Sequence, residues 1–314
     1  LRGEAVVAFG CRVNTKLRRF VPLSAVDGLS IASIANLCCA CASPACPFRK
    51  GRRRDVDVLL AWGRRPSALR VERLARQWDL PVWHLEDGLL RSVAKGREHP
   101  PLALLVDELG VHFDATAPSR IEQLIAAPIT VTEANRARAL KRLWCEQRLS
   151  KVNPPQEAEA PQEPYVLVVD QSAGDRSIAL GLADASCFQR MLQAALEEHP
   201  DCTVVLKVHP DVISGRSRGH FSAEDLAHPR VRLSADGGHP ARLLERARAV
   251  YVVTSQMGFE ALLWGRPVHC FGMPFYGGWG LTHDRCDAPA RRRQGASLEA
   301  LVHAVLVGAC RCID

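Results

Sequence analysis

The sequence predicts an α/β protein built from two Rossmann-like domains that face each other across a cleft. Two observations carry this. From Tyr165 onward, short apolar runs alternate with helical patterns, which implies parallel sheets covered by helices on both faces. A shorter alternation of the same kind runs from Val56 to Leu149. Between them lies "KVNPPQEAEAPQEP" (Lys151 to Pro164), rich in Pro, Glu and Gln and without apolar period, which is linker composition. The expected division is residues 1–152, a linker at 153–164, and 165–314. A chain of 314 residues is long enough for two cores of that size.

In the first half, "VDVLLAW" and "PVWHL" read as strands around the helical stretch "PSALRVERLARQW". "LALLVDELGVHFDA" reads as a further strand pair. A long helix follows from Glu133 to Leu149, with Ala137, Leu140 and Trp144 on one face. In the second half "YVLVVD", "TVVLKVHP", "AVYVVTS" and "RPVHCFG" read as strands. "RSIALGLADASCFQRMLQAALEEHP", "HPARLLERAR", "QMGFEALLWG" and "SLEALVHAVLVG" read as helices. The run Val204 to Val208 is β-branched, apolar and too short for a helix, so it is expected to be buried on both faces.

Composition narrows the partners. With 47% hydrophobic and 24% charged residues the chain reads as an ordinary soluble protein, and no apolar run approaches the roughly 18 residues of a membrane span. The start lacks the layout of a signal peptide, so a cytoplasmic location is expected. A net charge of +7 favours anionic partners. Two arginine clusters, "RKGRRR" (Arg49 to Arg54) and "ARRRQ" (Ala290 to Gln294), read as solvated surface. Neither carries a nucleic-acid motif or an aromatic stripe, so nucleic acid is not expected. Of twelve cysteines, Cys38, Cys39, Cys41 and Cys46 crowd together, but their spacing is irregular. They read as small buried hydrophobes rather than as a zinc site.

In open α/β sheets ligands bind at the carboxyl ends of the strands. Four such ends carry polar residues. "PVWHL" runs into Glu86, Asp87 and a glycine, with Arg91 close behind; adjacent carboxylates there raise one another's proton affinity. "YVLVVD" runs into "QSAGDRSI", where Asp175 starts a helix as an N-cap or faces an electrophilic carbon. "TVVLKVHP" delivers Lys207, His209 and Pro210, with Lys207 and His209 alternating to one side as a phosphate clamp. "VYVVT" runs into Ser255 and Gln256 at a helix start that favours an anion, with Gly258 leaving room for a ligand and Glu260 one turn on, placed to accept from ribose hydroxyls. Taken singly, capping explains each as well; four together mark a cleft.

The strings "WGRRPS", "LEDGLLRS", "LVDELGVHFDATAPSRIE", "LSKVN", "VLVVDQSAGDRSI" and "TSQMGFEALLWGRPVHCFGMPFYGGWGLT" resemble the capsule polysaccharide biosynthesis proteins of the KpsC type, in consistent order from about Val56 to Leu301. The resemblance implies a modified GT-B glycosyltransferase fold and a retaining β-Kdo transferase. It implies CMP-β-Kdo as donor substrate, a Kdo-terminated lysophosphatidylglycerol as acceptor, no metal and no cofactor. The expected place is the inner face of the bacterial inner membrane, reached by peripheral contact through the arginine clusters and in company with other capsule assembly proteins.

Retention by two inversions requires a carboxylate nucleophile and a separate acid/base. Under the resemblance Asp175 is the nucleophile and Glu86 the acid/base, positioned by Asp87; the reverse, with Asp87 as nucleophile, stays open. His209, Lys207, Pro210, Ser255 and Gln256 surround the CMP phosphate, with Gln171, Ser177, Gly258 and Glu260 as further donor contacts and Arg91 on the sugar carboxylate. Family members usually carry two transferase modules, whereas this chain has one, and "VVTSQMGFEALL" is most similar to the amino-terminal module, which implies β-(2→4) transfer. His112 and Phe113 stand where the family usually shows two aromatics. Two other readings are transfer from a different CMP-linked sugar acid and a non-catalytic nucleotide- or glycan-binding remnant of a tandem enzyme.

Overall fold

The structure is a computed structural model that describes the backbone of residues 4–8 and 29–30 and, beyond them, residues 58–94, 99 and 101–312. The cluster Arg49 to Arg54 and the cysteines Cys11, Cys38, Cys39, Cys41 and Cys46 lie outside the described residues.

The first sheet holds β1 (Glu4–Ala8), β2 (Leu29–Ser30), β3 (Val58–Trp62), β4 (Val82–Asp87) and β5 (Ala103–Asp107). Strand β3 is buried along its whole length, as its unbroken apolar run requires. Helix α1 (Pro66–Trp78) opens on a proline and lays Ala68, Val71 and Ala75 against Leu59 and Ala61 of that strand. β4 runs parallel to β3, while β5 turns back antiparallel to β4. The second strand expected after β5 does not form. The buried Asp107 carboxylate draws in the N–H groups of Leu109, Gly110 and Arg120 at 2.8–3.0 Å, which folds the chain into a loop. Capping boxes at Ser119/Glu122 and Thr130/Glu133 then start α2 (Arg120–Ala126) and α3 (Val131–Glu146).

The second sheet has the order β11-β10-β9-β6-β7-β8 and is parallel throughout. Its strands are β6 (Tyr165–Val169), β7 (Thr203–Lys207), β8 (Val231–Ser234), β9 (Val250–Val252), β10 (Val268–Cys270) and β11 (His283–Asp284). The helix expected across 176–200 is two, α4 (Arg176–Leu180) and α5 (Ser186–Glu198), separated where Leu182 takes a left-handed φ of 58°. Short helices α6 (Pro210–Ile213), α7 (Ala223–Ala227), α8 (Ala241–Arg246) and α9 (Met257–Leu263) follow. The α/β class with two largely parallel sheets is the one the alternation of elements predicts.

The halves are tied more closely than a linker implies. Helix α10 (Leu298–His303) packs on α2 and α3, and β12 (Cys310–Cys312) pairs antiparallel with β5 in the first sheet. The end of the segment 165–314 thus returns to the first half, because Leu301, Val302 and Val305 share a core with Ile121, Ile125 and Trp144. The segment 153–164 is packed as well. Ala158 is fully buried, Glu157 forms a β-bridge with His239, and its carboxylate pairs with Arg148.

The cluster at Ala290–Gln294 corrects the surface reading. Arg292 is 0% exposed and pairs through Nε with Glu122 of α2, and its NH1 donates to the carbonyls of Pro274 and Gly277. Arg291 donates to the other Glu122 oxygen at 2.7 Å. Two guanidiniums on one buried carboxylate clamp the halves together, and Arg292 is thereby withdrawn from the surface while Arg291 stays partly exposed.

Candidate active site

Glu86 ends β4, and the local chain is shaped around it. Gly63, which follows β3, has φ +48°, and a Cβ there would stand 2.1 Å from Glu86 Oε1. Gly88 lies so close to β5 that a Cβ would meet that of Ala103 at 2.6 Å. The two glycines let the carboxylate lie against β3 while its strand stays paired to β5. Glu86 also lines a small pocket of about 10 Å³ with His84, Asp107 and His112, room for roughly one water. Burial pushes its pKa up to about 7; Lys151 and Arg65 pull it down and Asp87 pushes it further up. A carboxyl poised near neutrality suits proton transfer. His112, edge-on to Phe113 and Phe275, is held neutral, its pKa lowered to about 3 by burial and by Lys151.

Asp87 accepts from Arg91 Nε at 3.0 Å. Arg91 is 8% exposed, and its NH1 donates to Ser92 Oγ and to the carbonyls of Ala94 and His99. This guanidinium shapes the loop after β4.

The second-half residues gather at the ends of β6, β7 and β9, which are neighbours in the sheet. Gln171 is the hub: its Oε1 accepts from the Thr254 N–H at 2.9 Å, and its Nε2 donates to Ser177 Oγ and Thr254 Oγ1. Asp175 caps α4, with Oδ1 accepting from the Ser177 N–H at 2.9 Å, and its side chain is exposed. Both the capping role and an accessible carboxylate are therefore present in one residue. His209 Nδ1 accepts from the Asp211 N–H at 3.1 Å and lies 3.1 Å from Ser172 Oγ, so the neutral ring carries its proton on Nε2. Pro210 begins α6 directly after it.

Lys207, at the end of β7, is set apart from solvent. It is 7% exposed, its pKa lowered by burial, and the nearby charge is Asp236. Ser255 caps its own helix start, accepting from the Met257 N–H, while its carbonyl accepts from Tyr276 Oη. The space at Gly258 belongs to that tyrosine, since a Cβ would stand 2.2 Å from Tyr276 Oη. It is not open to a ligand, as a bare reading of the motif suggests. Glu260 is 1% exposed, and its oxygens accept from Ser150 Oγ at 2.6 Å, the Lys151 N–H and Gln256 Nε2. It latches the halves rather than presenting itself to ribose hydroxyls. Gln256 completes the latch by donating to the Leu89 carbonyl at 2.8 Å, in the loop after β4.

The structure therefore collects the expected residues into two groups along one seam. Glu86, Asp87, Arg91, Gln256 and Glu260 stand on one side; Gln171, Asp175, Ser177 and His209 stand on the other. Ala115, in the loop after His112, joins them by donating to the Leu180 carbonyl of α4 at 2.8 Å. Sequence reasoning missed Gly63, Ser150, Lys151, Ser172 and Thr254. The signal for Lys151 was its place inside "LSKVN", where it was taken as the start of a spacer. Among the described residues no group of three or more His, Cys, Asp or Glu is placed to hold a metal ion, and no helix is long and apolar enough to cross a membrane.

Two largely parallel sheets, joined by hydrogen bonds that run between the two halves, define an α/β protein. The chain belongs to the capsule polysaccharide biosynthesis protein family, whose sequence profile matches residues 57–149 and 133–311. It is 40% identical over 242 residues to the capsule polysaccharide modification protein LipA of Neisseria meningitidis serogroup B, a match over 74% of this chain and 34% of LipA. The chain thus spans about a third of that relative's length. Among solved structures it is similar to the β-Kdo 2,4 transferase of Thermosulfurimonas dismutans KpsC, with TM-score 0.85 and 34% identity over 100% of this chain and 93% of the other. The β-Kdo 2,7 transferase of the same KpsC gives 0.69 and 26% over 99% and 93%.

Proposed function

We propose that this chain is a Kdo transferase of capsule biosynthesis, moving Kdo from CMP-β-Kdo with retention, in a β-(2→4) linkage, onto a Kdo-terminated glycolipid. The observation that carries it is the full-length similarity to the 2,4 transferase, higher in both TM-score and identity than that to the 2,7 transferase. The site supplies the parts such a reaction needs. Asp175 attacks the anomeric carbon as the bond to the CMP phosphate oxygen breaks, and the electron pair leaves with CMP. His209, with its proton on Nε2, donates to the departing phosphate. The acceptor hydroxyl then displaces Asp175 from the same carbon, and Glu86 takes its proton and returns it to solvent. A pKa of about 7 makes Glu86 competent for that step near neutral pH. The donor and acceptor place the work at the inner face of the cytoplasmic membrane.

The test is a transfer assay with CMP-Kdo generated in situ and a Kdo-terminated lipid-like acceptor, read by mass and NMR. One added β-Kdo in a 2→4 linkage is the expected product. Another linkage corrects the regiochemistry alone, whereas turnover only with a different CMP-linked sugar acid replaces the donor.

A further inference from the structure

Arg91 is engaged in its own loop, which leaves open which cation on the Glu86 side meets the carboxylate of a sugar-acid donor. Lys151 stands where one is needed. Its backbone is fixed on three sides: its carbonyl accepts from the N–H groups of Arg91 at 2.9 Å and Ser92 at 3.3 Å, and its own N–H donates to Glu260. Val152 continues the hold through a β-bridge with Ser92. The neighbouring side chains are fixed too, Ser150 by Glu260 and Asn153 by His239 and the Ser92 carbonyl. The Cα of Lys151 is thereby fixed between the two halves.

Its N–H on Glu260 and its carbonyl on Arg91 and Ser92 set Lys151 between α9 and the loop after β4, and its charge is felt at Glu86, His112 and Glu260. Lys151 is half-buried, and among the described residues no carboxylate lies within the 4.0 Å of an ion pair with its ammonium. A partly desolvated cation without an ion pair, beside a carboxyl group that reacts with substrate, is suited to an anionic group of that substrate. The other cation acting on Glu86, Arg65, is exposed at the start of α1.

We infer that Lys151 binds the carboxylate of the sugar-acid donor, holding the sugar with its anomeric carbon turned to the reacting groups and the acceptor side turned to Glu86. This rests on the transferase reading. It assigns to Lys151 the contact that the sequence assigns to Arg91, and it gives the 149–153 segment a part in donor selection. It also couples the two steps: a donor carboxylate on Lys151 offsets the pull of that ammonium on Glu86, and transfer of the sugar restores it.

The experiment compares wild type, Lys151→Met and Lys151→Arg in steady-state transfer from CMP-Kdo, with calorimetric titration by CMP and, in the presence of CMP, by free Kdo. Lys151→Met is expected to lower kcat/KM for the donor by about 10- to 100-fold, chiefly through KM, the cost of one charge-assisted hydrogen bond. Its acidic pH limb moves up, because Glu86 loses a cation that favours its ionised form. Lys151→Arg recovers most of the loss, since a guanidinium also binds a carboxylate. CMP affinity is unchanged in both, and free Kdo binds wild type but not Lys151→Met. An unchanged donor KM in Lys151→Met, or equal loss of CMP and Kdo binding, overturns the inference. An inactive wild type defeats the transferase reading instead, and the Kdo titration still decides for or against Lys151.

Discussion

Glu86 stands near the end of a strand of the first sheet and Asp175 at the helix start that follows a strand of the second, and their surroundings are opposite. Glu86 lies on a strand that has an antiparallel neighbour, pressed against Gly63, and burial raises its pKa to about 7. Asp175 follows a parallel strand, sits at the exposed start of a short helix, and accepts a backbone N–H. The first environment makes a group that exchanges protons near neutrality, and the second leaves a carboxylate open to solvent. Two carboxyls set apart by environment are a means of dividing proton transfer from covalent chemistry.

The sharpest way to break that division is to remove the exposed member. Asp175→Ala should lower transfer by about 10⁴-fold or more, the scale of losing a nucleophile. CMP binding, followed by calorimetry, should persist. Asp175→Asn keeps the acceptor that caps α4, so equal inactivity in both variants assigns the loss to chemistry rather than to folding. Turnover surviving in Asp175→Asn, with Asp87→Asn inactive, moves the nucleophile to the other side of the seam.

Removing the buried member should cost less and change the pH dependence. Glu86→Gln is expected to lose about 10²- to 10⁴-fold. In the wild type the base must be ionised, so the rate should rise with pH through about 7 and fall below it. That limb should vanish in Glu86→Gln. A limb that remains assigns the proton transfer to another group.

Gly63→Ala tests whether the position of Glu86 matters as well as its presence. A methyl group 2.1 Å from Glu86 Oε1, at a left-handed φ of +48°, must displace the carboxylate. A shift of about 1 Å at a reacting group costs up to about 10²-fold. Turnover should fall with CMP affinity unaltered, and wild-type turnover would show that Glu86 tolerates displacement.

This contrast also marks what a sequence can carry. The strands and their polar ends were legible because period, β-branching and capping residues act locally: Asp175 reads as a helix start and is one. What was hidden depends on partners far along the chain. Arg291 and Arg292 look like solvated charge until Glu122 is found opposite them, 169 and 170 positions away. The stretch from Lys151 has the composition of a spacer, yet Ser150, Lys151 and Asn153 hold the seam together. Glycines in motifs are ambiguous for the same reason. Gly258 makes room for Tyr276, whereas Gly63, in a motif that drew no site assignment, makes room for the Glu86 carboxylate. The cysteine-rich start stays outside the described residues, and β12 was hidden because "CRC" pairs with a strand some 200 positions earlier.

The smallest expected effect is on stability, and it runs opposite to activity. An unfolded Glu86 ionises near 4.5, while the folded one keeps its proton up to about 7. The folded state therefore binds more protons across that window. The stability it derives from this is complete below about 4.5 and lost as pH rises through about 7. Glutamine never ionises, so Glu86→Gln should match wild type in thermal unfolding at pH 4 and exceed it at pH 8 by about 1–3 kcal/mol. The exposed Asp175 should give no such gain when changed to Asn. A variant that is more stable and less active only above neutrality would identify Glu86 as a carboxylate kept at an energetic cost for its chemistry. Equal stability at both pH values would show that Glu86 is hydrated in the folded protein, and the comparison with Asp175 would then lose its physical basis.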